Sequence, residues 1–261
     1  MSLKVDITEI SQSTAVDMAD EWYDIADLNH FWIEGRFNFL VKNKKIPELA
    51  NRKLLEIGCG NGLLIRQFEK HFNIVVDGCD LNLKILRTIK NIKGRLFVLN
   101  IYDKPPDLIN EYDGIILFDV LEHIDDDAGF LKTASQYLKK SGWVFINVPA
   151  LKFLFSKYDR MAGHKRRYNK KTLQELIAKN NIEIISIYYW GLSMIPLVLL
   201  RKIMLPFIPD SKAINAGFKP STGLLNRLLK FLLHSESRIF KSPFLGTSLM
   251  VIGKYKNDFN D

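Results

Sequence analysis

The stretch Leu54–Leu63, LLEIGCGNGL, decides the fold. An apolar run ends at Ile57, three glycines follow at alternate positions (Gly58, Gly60 and Gly62), and the amphipathic segment LLIRQFEKHF begins at once. Glycine reaches left-handed backbone angles without the clash that a Cβ brings, so the spacing reads as a tight turn from a strand into a helix. Such a turn aims backbone N–H groups at whatever lies above the sheet, as nucleotide-binding loops do.

Outward from this loop, short apolar runs alternate with longer segments whose apolar residues recur every three or four positions. The strand candidates are KLLEIG, NIVVDGCD, RLFVLN, YDGIILFDV, GWVFINVP, IEIISIYYW and, last, TSLMVIGKY at 247–255. Between them lie the helical candidates GLLIRQFEKHF, LKILRTIKN, DDAGFLKTASQYLKK and KKTLQELIAKNN. Alternation of this kind predicts an α/β fold with a largely parallel sheet covered on both faces. Gly142, following LKKS, fits a helix C-terminal cap. Residues from about 14 to 45 read as a helical, aromatic-rich cap with Trp22, Tyr23, Phe31, Trp32, Phe37 and Phe39.

Composition narrows the class. Nearly half of the 261 residues are hydrophobic and a quarter are charged, the balance of a folded globular chain. Two cysteines, Cys59 and Cys79, form no secreted disulfide pattern, and MSLKVDITEI has no signal-type apolar core, so a cytoplasmic protein is expected. The formal charge of +8 admits a nucleic acid, an anionic membrane surface or an acidic substrate as partner. Most of it sits in residues 191–243, where eight Lys or Arg face only Asp210 and Glu236. That segment is also apolar (MIPLVLL, IMLPFIP, LLNRLLKFLL), yet no run reaches the ~20 clean residues that span a bilayer. It reads either as a surface-lying amphipathic insertion or as a helical lid or dimer interface.

Two acids identify the ligand class. Glu56 precedes the first glycine, where it repels a phosphate and suits an amine. Asp80 ends the second strand eighteen residues past Gly62, where a carboxylate accepts both hydroxyls of a ribose. With EIGCGNG, Asp80, YDGIILFDVLEHIDDD and LKKSGWVFINVPA in this order, the sequence resembles the class I S-adenosylmethionine-dependent methyltransferases over roughly residues 30–190 and 244–256. It is most similar to a bacterial subgroup with HFW near the start and GHxRRY after the fifth strand, here HFWIEGR (30–36) and GHKRRY (163–168).

The resemblance implies a Rossmann-like seven-stranded sheet with its last strand antiparallel. The expected divisions are an N-terminal helical cap (1–45), a core (46–190 plus 244–256) and a helical insertion (191–243). It implies S-adenosylmethionine as cofactor, with Glu56, Gly58, Cys59 and Gly60 around the methionine part and Asp80 with Leu81 at the ribose. Asn100 and Ile101 fall near adenine and Phe118 at the methyl end, while Arg36 reads either as the partner of the methionine carboxylate or as a solvated helix residue. Methyl transfer needs a base only when the acceptor loses a proton, and His123 and His164 are the candidates. No metal is expected, but Asp119, Glu122, His123 and His164 form the alternative ligand set, after relatives with an E-x-x-E-H pattern.

The expected acceptor is a small molecule or a lipid-linked one, with peripheral contact of residues 191–243 at the inner membrane face. Lys165–Arg167 read as an anion clamp or a solvated loop. A nucleic-acid (RNA) methyltransferase is the alternative enzyme, disfavoured by the lack of an Asn/Asp-Pro-Pro-aromatic motif after LFD and by aliphatic rather than stacking residues in the basic region. A non-catalytic, cofactor-binding or membrane-associated scaffold is the second alternative.

Overall fold

The computed structural model describes residues 5–14, 20–43, 45–46, 48–218, 223–240 and 242–256, so parts of the expected cap and insertion lie outside the described residues. In chain order the strands are β1 (Ile7–Glu9), β2 (Lys53–Ile57), β3 (Val75–Asp80), β4 (Leu96–Val98), β5 (Tyr112–Phe118), β6 (Leu138–Pro149), β7 (Ile182–Trp190) and β8 (Ser248–Tyr255). The α-helices are α1 (Asp20–Ile25), α2 (Phe31–Val41), α3 (Leu63–Phe72), α4 (Leu83–Leu86), α5 (Asp127–Ser135), α6 (Lys157–Met161), α7 (Lys170–Ala178), α8 (Ile195–Met204), α9 (Asp210–Phe218) and α10 (Leu224–Ile239).

These strands form one sheet of order β1-β4-β3-β2-β5-β6-β8-β7, parallel from β1 to β6. β8 inserts between β6 and β7 and runs antiparallel to both, as expected of the last strand. The expected count of seven is corrected to eight: β1, from the N-terminal segment, pairs with β4 and forms the edge of the sheet. Its three residues ITE carry too little pattern to be read as a strand in isolation.

Successive strand residues feed opposite faces, and both faces are apolar, the signature of a parallel sheet covered on two sides. Leu55, Ile57, Ile115, Leu117, Val144 and Ile146 join one buried cluster. Leu54, Val76, Ile116, Phe118, Phe145 and Ile252 join the other. α2 and α10 belong to this second layer through Phe37, Phe39, Leu40, Leu229 and Leu233. Here the Trp190 ring packs at a tilt against Trp32, with ring centres 4.4 Å apart, and against Phe39 at 5.4 Å. A Cβ on Gly35 would come within 2.6 Å of the Leu233 side chain, so the absence of a side chain lets α2 and α10 approach. A smaller cluster of Tyr158, Ala162, Leu205, Ala213 and Ile214 joins α6 to the α8–α9 region.

Two local expectations need correction. α5 stops at Ser135 and Leu138 already pairs with Tyr112, so Gly142 lies inside β6 and is not a helix cap. The left-handed residue there is its neighbour Ser141 (φ 62°), within the bulge that sets Leu138 to Trp143 against Tyr112 to Gly114. The segment read as the helix LKILRTIKN is only one turn, α4.

Glu236 fixes α10 to the turn after β7. Its buried carboxylate accepts from the backbone N–H groups of Gly191, Leu192 and Ser193 and from the Ser193 hydroxyl, at 2.6–2.9 Å. Glu236→Ala strands three N–H groups and is expected to lower unfolding free energy by about 3 kcal/mol, while Glu236→Gln, keeping one acceptor oxygen, loses less. Urea denaturation of the two variants checks this; equal loss in both would mean that charge, not hydrogen bonding, holds the turn.

Candidate active site

The glycine loop has the conformation its sequence demands. Gly58 and Gly60 adopt φ of 73° and 52°, and Cβ atoms there would lie 2.8 Å from Val120 and from the Tyr23 ring. The N–H groups of Gly58 and Cys59 donate to the Cys79 carbonyl, and that of Gly60 donates to Asp80 Oδ2 at 2.9 Å. Asp80 Oδ1 accepts from the Asn82 N–H. Asp80 thus ties the loop to the end of β3 and lines a cavity. The Cys59 and Cys79 thiols are buried and pushed up, chiefly by that burial, which makes them packing residues and not nucleophiles.

Two cavities lie over the C-terminal edge of the parallel strands, where ligands bind in open α/β sheets. One, of about 300 Å³, is lined by Asp80, Leu81, Asn100, Ile101, His123 and Phe130. The other, of about 320 Å³, is lined by Glu56, Arg36, Cys59, Phe118, Glu122 and His164, with an apolar wall from α8 and α10. They share Tyr23, Gly58 and Asp119. The sequence-read residues therefore divide: the ribose and adenine candidates line the smaller cavity, and the methionine-end candidates line the larger.

Arg36 makes an ion pair with Asp119, and its guanidinium lies 5.2 Å from the centre of the Phe118 ring. Its Nε is buried without a hydrogen-bond partner. Asp119, in a left-handed conformation (φ 58°) just after β5, also accepts from Asn147 Nδ2 at 2.6 Å. Asn147 Oδ1 in turn accepts from the Trp190 indole at 2.8 Å. Beside this chain, burial pushes the Glu56 carboxyl up to about 8, an effect that the Arg36 charge opposes and Asp80 reinforces. Glu56 Oε2 is buried with no partner, so the loop holds an unsatisfied acceptor that a ligand ammonium fits.

The histidines meet edge to face, with ring centres 4.9 Å apart, but they serve different cavities. His123 lines the smaller cavity. Burial, then the neighbouring His164, push its pKa down to about 3, so it is neutral at physiological pH and a weak base. His164 faces the larger cavity, and its Nδ1 lies 3.1 Å from Asp159 Oδ1. Burial alone would raise the Asp159 carboxyl, but its bonds to His164 and Arg167 hold it well below the usual range. An Nδ1–H donating to that carboxylate leaves Nε2 as the basic nitrogen.

Glu122 is fully buried, and neither of its oxygens has a hydrogen-bond partner. Burial, then Asp119, push its carboxyl well above the ordinary range. Among the described residues, Glu122, His123 and His164 each bring one ligand atom within 4.8 Å of the others. Asp119, the fourth member of the alternative set, is absent from this group and engaged by Arg36 and Asn147 instead. An orphaned carboxylate, two imidazoles and a carboxylate behind His164 fit a divalent cation.

Lys165, Arg166 and Arg167 pair with Asp125, Asp127 and Asp159, so the structure provides no free anion clamp there. Three site residues were missed in the sequence. Asp159 had a legible signal as the far end of the Ser156–Asp159 capping box. Tyr23 was read only as part of the aromatic cap, and Asn147 acts through contacts distant in sequence that leave no local signal.

A family model described as a methyltransferase domain matches residues 27–187. Among curated relatives, the ubiquinone biosynthesis O-methyltransferase of Pelagibacter ubique is 30% identical over 144 residues, 49% of this chain and 60% of that protein. The enzyme of the same name from Hydrogenovibrio crunogenus is 27% identical over 146 residues, 48% of this chain and 60% of the relative. The matches thus span about 60% of these relatives' own length. In solved structures, a chain of the complex between the Haloferax volcanii Trm112 methyltransferase activator and a methyltransferase aligns with a TM-score of 0.59 at 13% identity, covering 91% of this chain and 98% of that one. Haemonchus contortus phosphoethanolamine N-methyltransferase 2, in complex with S-adenosyl-L-methionine, gives 0.54 at 17% identity, over 87% of this chain and 56% of that one. These structural likenesses bear on the fold. The domain match over residues 27–187, the sheet order and the glycine loop tied to Asp80 place this chain in the class I S-adenosylmethionine-dependent methyltransferase family.

Proposed function

We propose that this chain transfers the methyl group of S-adenosylmethionine to an oxygen of a small-molecule acceptor with an apolar, lipid-like part. The observation that carries this reading is the pair of cavities joined at Tyr23, Gly58 and Asp119, one with the ribose acid and the other coupling Glu56 and Arg36 to a broad aliphatic wall. The relatives named as O-methyltransferases support oxygen as the methylated atom.

When bound, S-adenosylmethionine supplies a methyl group already activated on a sulfonium, which leaves alignment, exclusion of water and proton removal to the protein. Asp80 accepts the ribose hydroxyls, with Leu81, Asn100 and Ile101 beside the adenosine. Glu56 holds the ammonium, and the guanidinium of Arg36 faces the carboxylate. Phe118 and the aromatic cap residues Tyr23 and Trp32 shield the junction from water. His164 Nε2, its ring oriented by Asp159, takes the proton from the acceptor hydroxyl as the bond to carbon forms.

The Glu122, His123 and His164 cluster, at the boundary of the two cavities, favours a second reading of His164, in which these residues hold a divalent cation. Such a cation, when bound, supplies a Lewis-acid contact for the acceptor oxygen.

Purified protein, methyl-labelled S-adenosylmethionine and an extract of its own cells, fractionated into lipids, nucleic acids and small molecules, test the assignment. Label is expected in the lipid or apolar small-molecule fraction, and His164→Ala is expected to lower the rate at least ~100-fold with cofactor affinity kept. Label in nucleic acid alone would revive the RNA reading, and cofactor binding with label nowhere would point to a scaffold. Elemental analysis separates the two readings of His164: a divalent metal that copurifies with the native chain and is lost in His164→Ala identifies a ligand.

Glu56 gives a pH signature. Below pH 8 the empty site holds a proton on Glu56, and an ammonium pairs only with the ionised form, so binding releases a proton. Affinity for S-adenosylhomocysteine is expected to rise from pH 6 towards pH 8, flattening as the ligand amine begins to lose its own proton. Calorimetry in buffers of different ionisation enthalpy should show proton release at pH 7 that Glu56→Gln abolishes. Proton release unchanged in that variant would remove Glu56 from the ammonium site.

A further inference from the structure

We infer that the exposed face formed by α8, the turn after it and the start of α10 docks on an anionic lipid bilayer and admits the acceptor from it into the larger cavity. This rests on the methyl-transfer reading above, because it names where the acceptor of that reaction comes from.

The first observation is apolar exposure in two stripes. Ile203 (66% exposed) and Phe207 (86%) extend along α8 and the turn after it, and Leu224 (83%), Leu228 and Phe231 (65%) recur at four- and three-residue spacing on α10. Spacing of this kind puts the residues of each stripe on one side of the helix. Burial in the core cannot account for them: the inward side of α10 is already occupied by Leu229 and Leu233. Contiguous apolar exposure of this extent marks an interaction surface.

The second observation is continuity with the site. Leu200, Met204 and Leu225 line the larger cavity and are also about half exposed. The cavity wall and the outer face are therefore one apolar surface, and an acceptor tail that leaves a bilayer meets the methyl-transfer site without crossing water.

The third is charge. Residues 191–243 carry eight Lys or Arg against two acids. One of these acids, Glu236, is buried on backbone amides and offers the surface nothing. Of the eight, Arg201 is turned inward onto the Tyr158 ring and Lys230 pairs with Glu34, Lys212 and Arg227 are exposed, and Lys219 and Lys241 lie outside the described residues. A second copy of the chain would bring like charges together at this face. An anionic headgroup layer supplies the opposite sign, and basic residues flanking an apolar stripe are the pattern of helices that lie in such a layer. No helix among the described residues is long and apolar enough to cross a membrane, consistent with contact from one side.

Co-sedimentation of the full chain with phosphatidylglycerol–phosphatidylcholine vesicles, against phosphatidylcholine alone, tests the docking. Wild type should bind the anionic vesicles preferentially, with binding weakened as salt is raised. A combined Phe207→Ser, Leu224→Ser and Phe231→Ser variant, none of whose positions lines the cavity, should lose at least about tenfold in vesicle partitioning. Its melting temperature and S-adenosylhomocysteine affinity should match wild type. Absence of binding to anionic vesicles, or equal binding by the variant, overturns the inference. It is also overturned if light scattering shows a wild-type dimer that the variant dissociates while vesicles stay unbound, since the face is then an interface between copies. S-adenosylhomocysteine binding is read on the same samples: its retention without vesicle binding sinks the docking alone, and its absence in wild type sinks the methyl-transfer reading.

Discussion

The site depends on a hydrogen-bonded chain that runs from Trp190 through Asn147 and Asp119 to Arg36. Trp190 ends β7, Asn147 lies in β6, Asp119 follows β5, and Arg36 belongs to α2, so four elements distant in sequence are held at one edge of the sheet. Asn147 and Trp190 are wholly buried and Arg36 nearly so. A guanidinium at such depth requires a carboxylate partner, and removing either member leaves an uncompensated charge, typically at a cost of about 3–5 kcal/mol. The left-handed conformation of Asp119 turns the chain away from β5 and places this residue in the walls of both cavities.

From that edge the division of labour follows. On the β3 side, Asp80 and the glycine loop border the smaller cavity, which the proposed function gives to the nucleoside. On the β6 and β8 side, Glu56, Arg36 and His164 face an aliphatic wall. α2 and α10 share the apolar layer beneath that wall with the sheet itself, so the larger cavity is braced by the core and not merely covered by a flap. Glu236 secures the return from β7 into α8, fixing the start of the helix whose outer side carries much of the exposed apolar surface.

The parallel sheet and nucleotide loop were legible because their signals are local: period-two apolar runs, glycines at positive φ, and an acid at the end of β3. β1 was not, because three residues carry no periodicity and only pairing with β4 makes them a strand. Gly142 misled for a related reason, since the apolar pattern of DDAGFLKTASQYLKK continues past the point where Leu138 pairs with Tyr112. Within the site, Glu56 and Asp80 were readable from their offsets to the glycines. The partners of Arg36 and His164 were not, since Asp119 meets Arg36 across 83 residues and Asp159 reaches His164 through a loop fold. Basic residues 165–167 looked like an anion site because sequence shows charge but not the three acids that neutralise it.

The most direct measurement is a crystal structure of the chain with S-adenosylhomocysteine. The expected result places the ribose hydroxyls on Asp80, the adenine beside Asn100 and Ile101, the ammonium on Glu56 and the thioether at the junction near Asp119, leaving His164 Nε2 facing the open remainder of the larger cavity. A ligand seated elsewhere, or one whose ribose ignores Asp80 and whose thioether points away from the His164 compartment, would contradict the division of the site into a nucleoside side and an acceptor side.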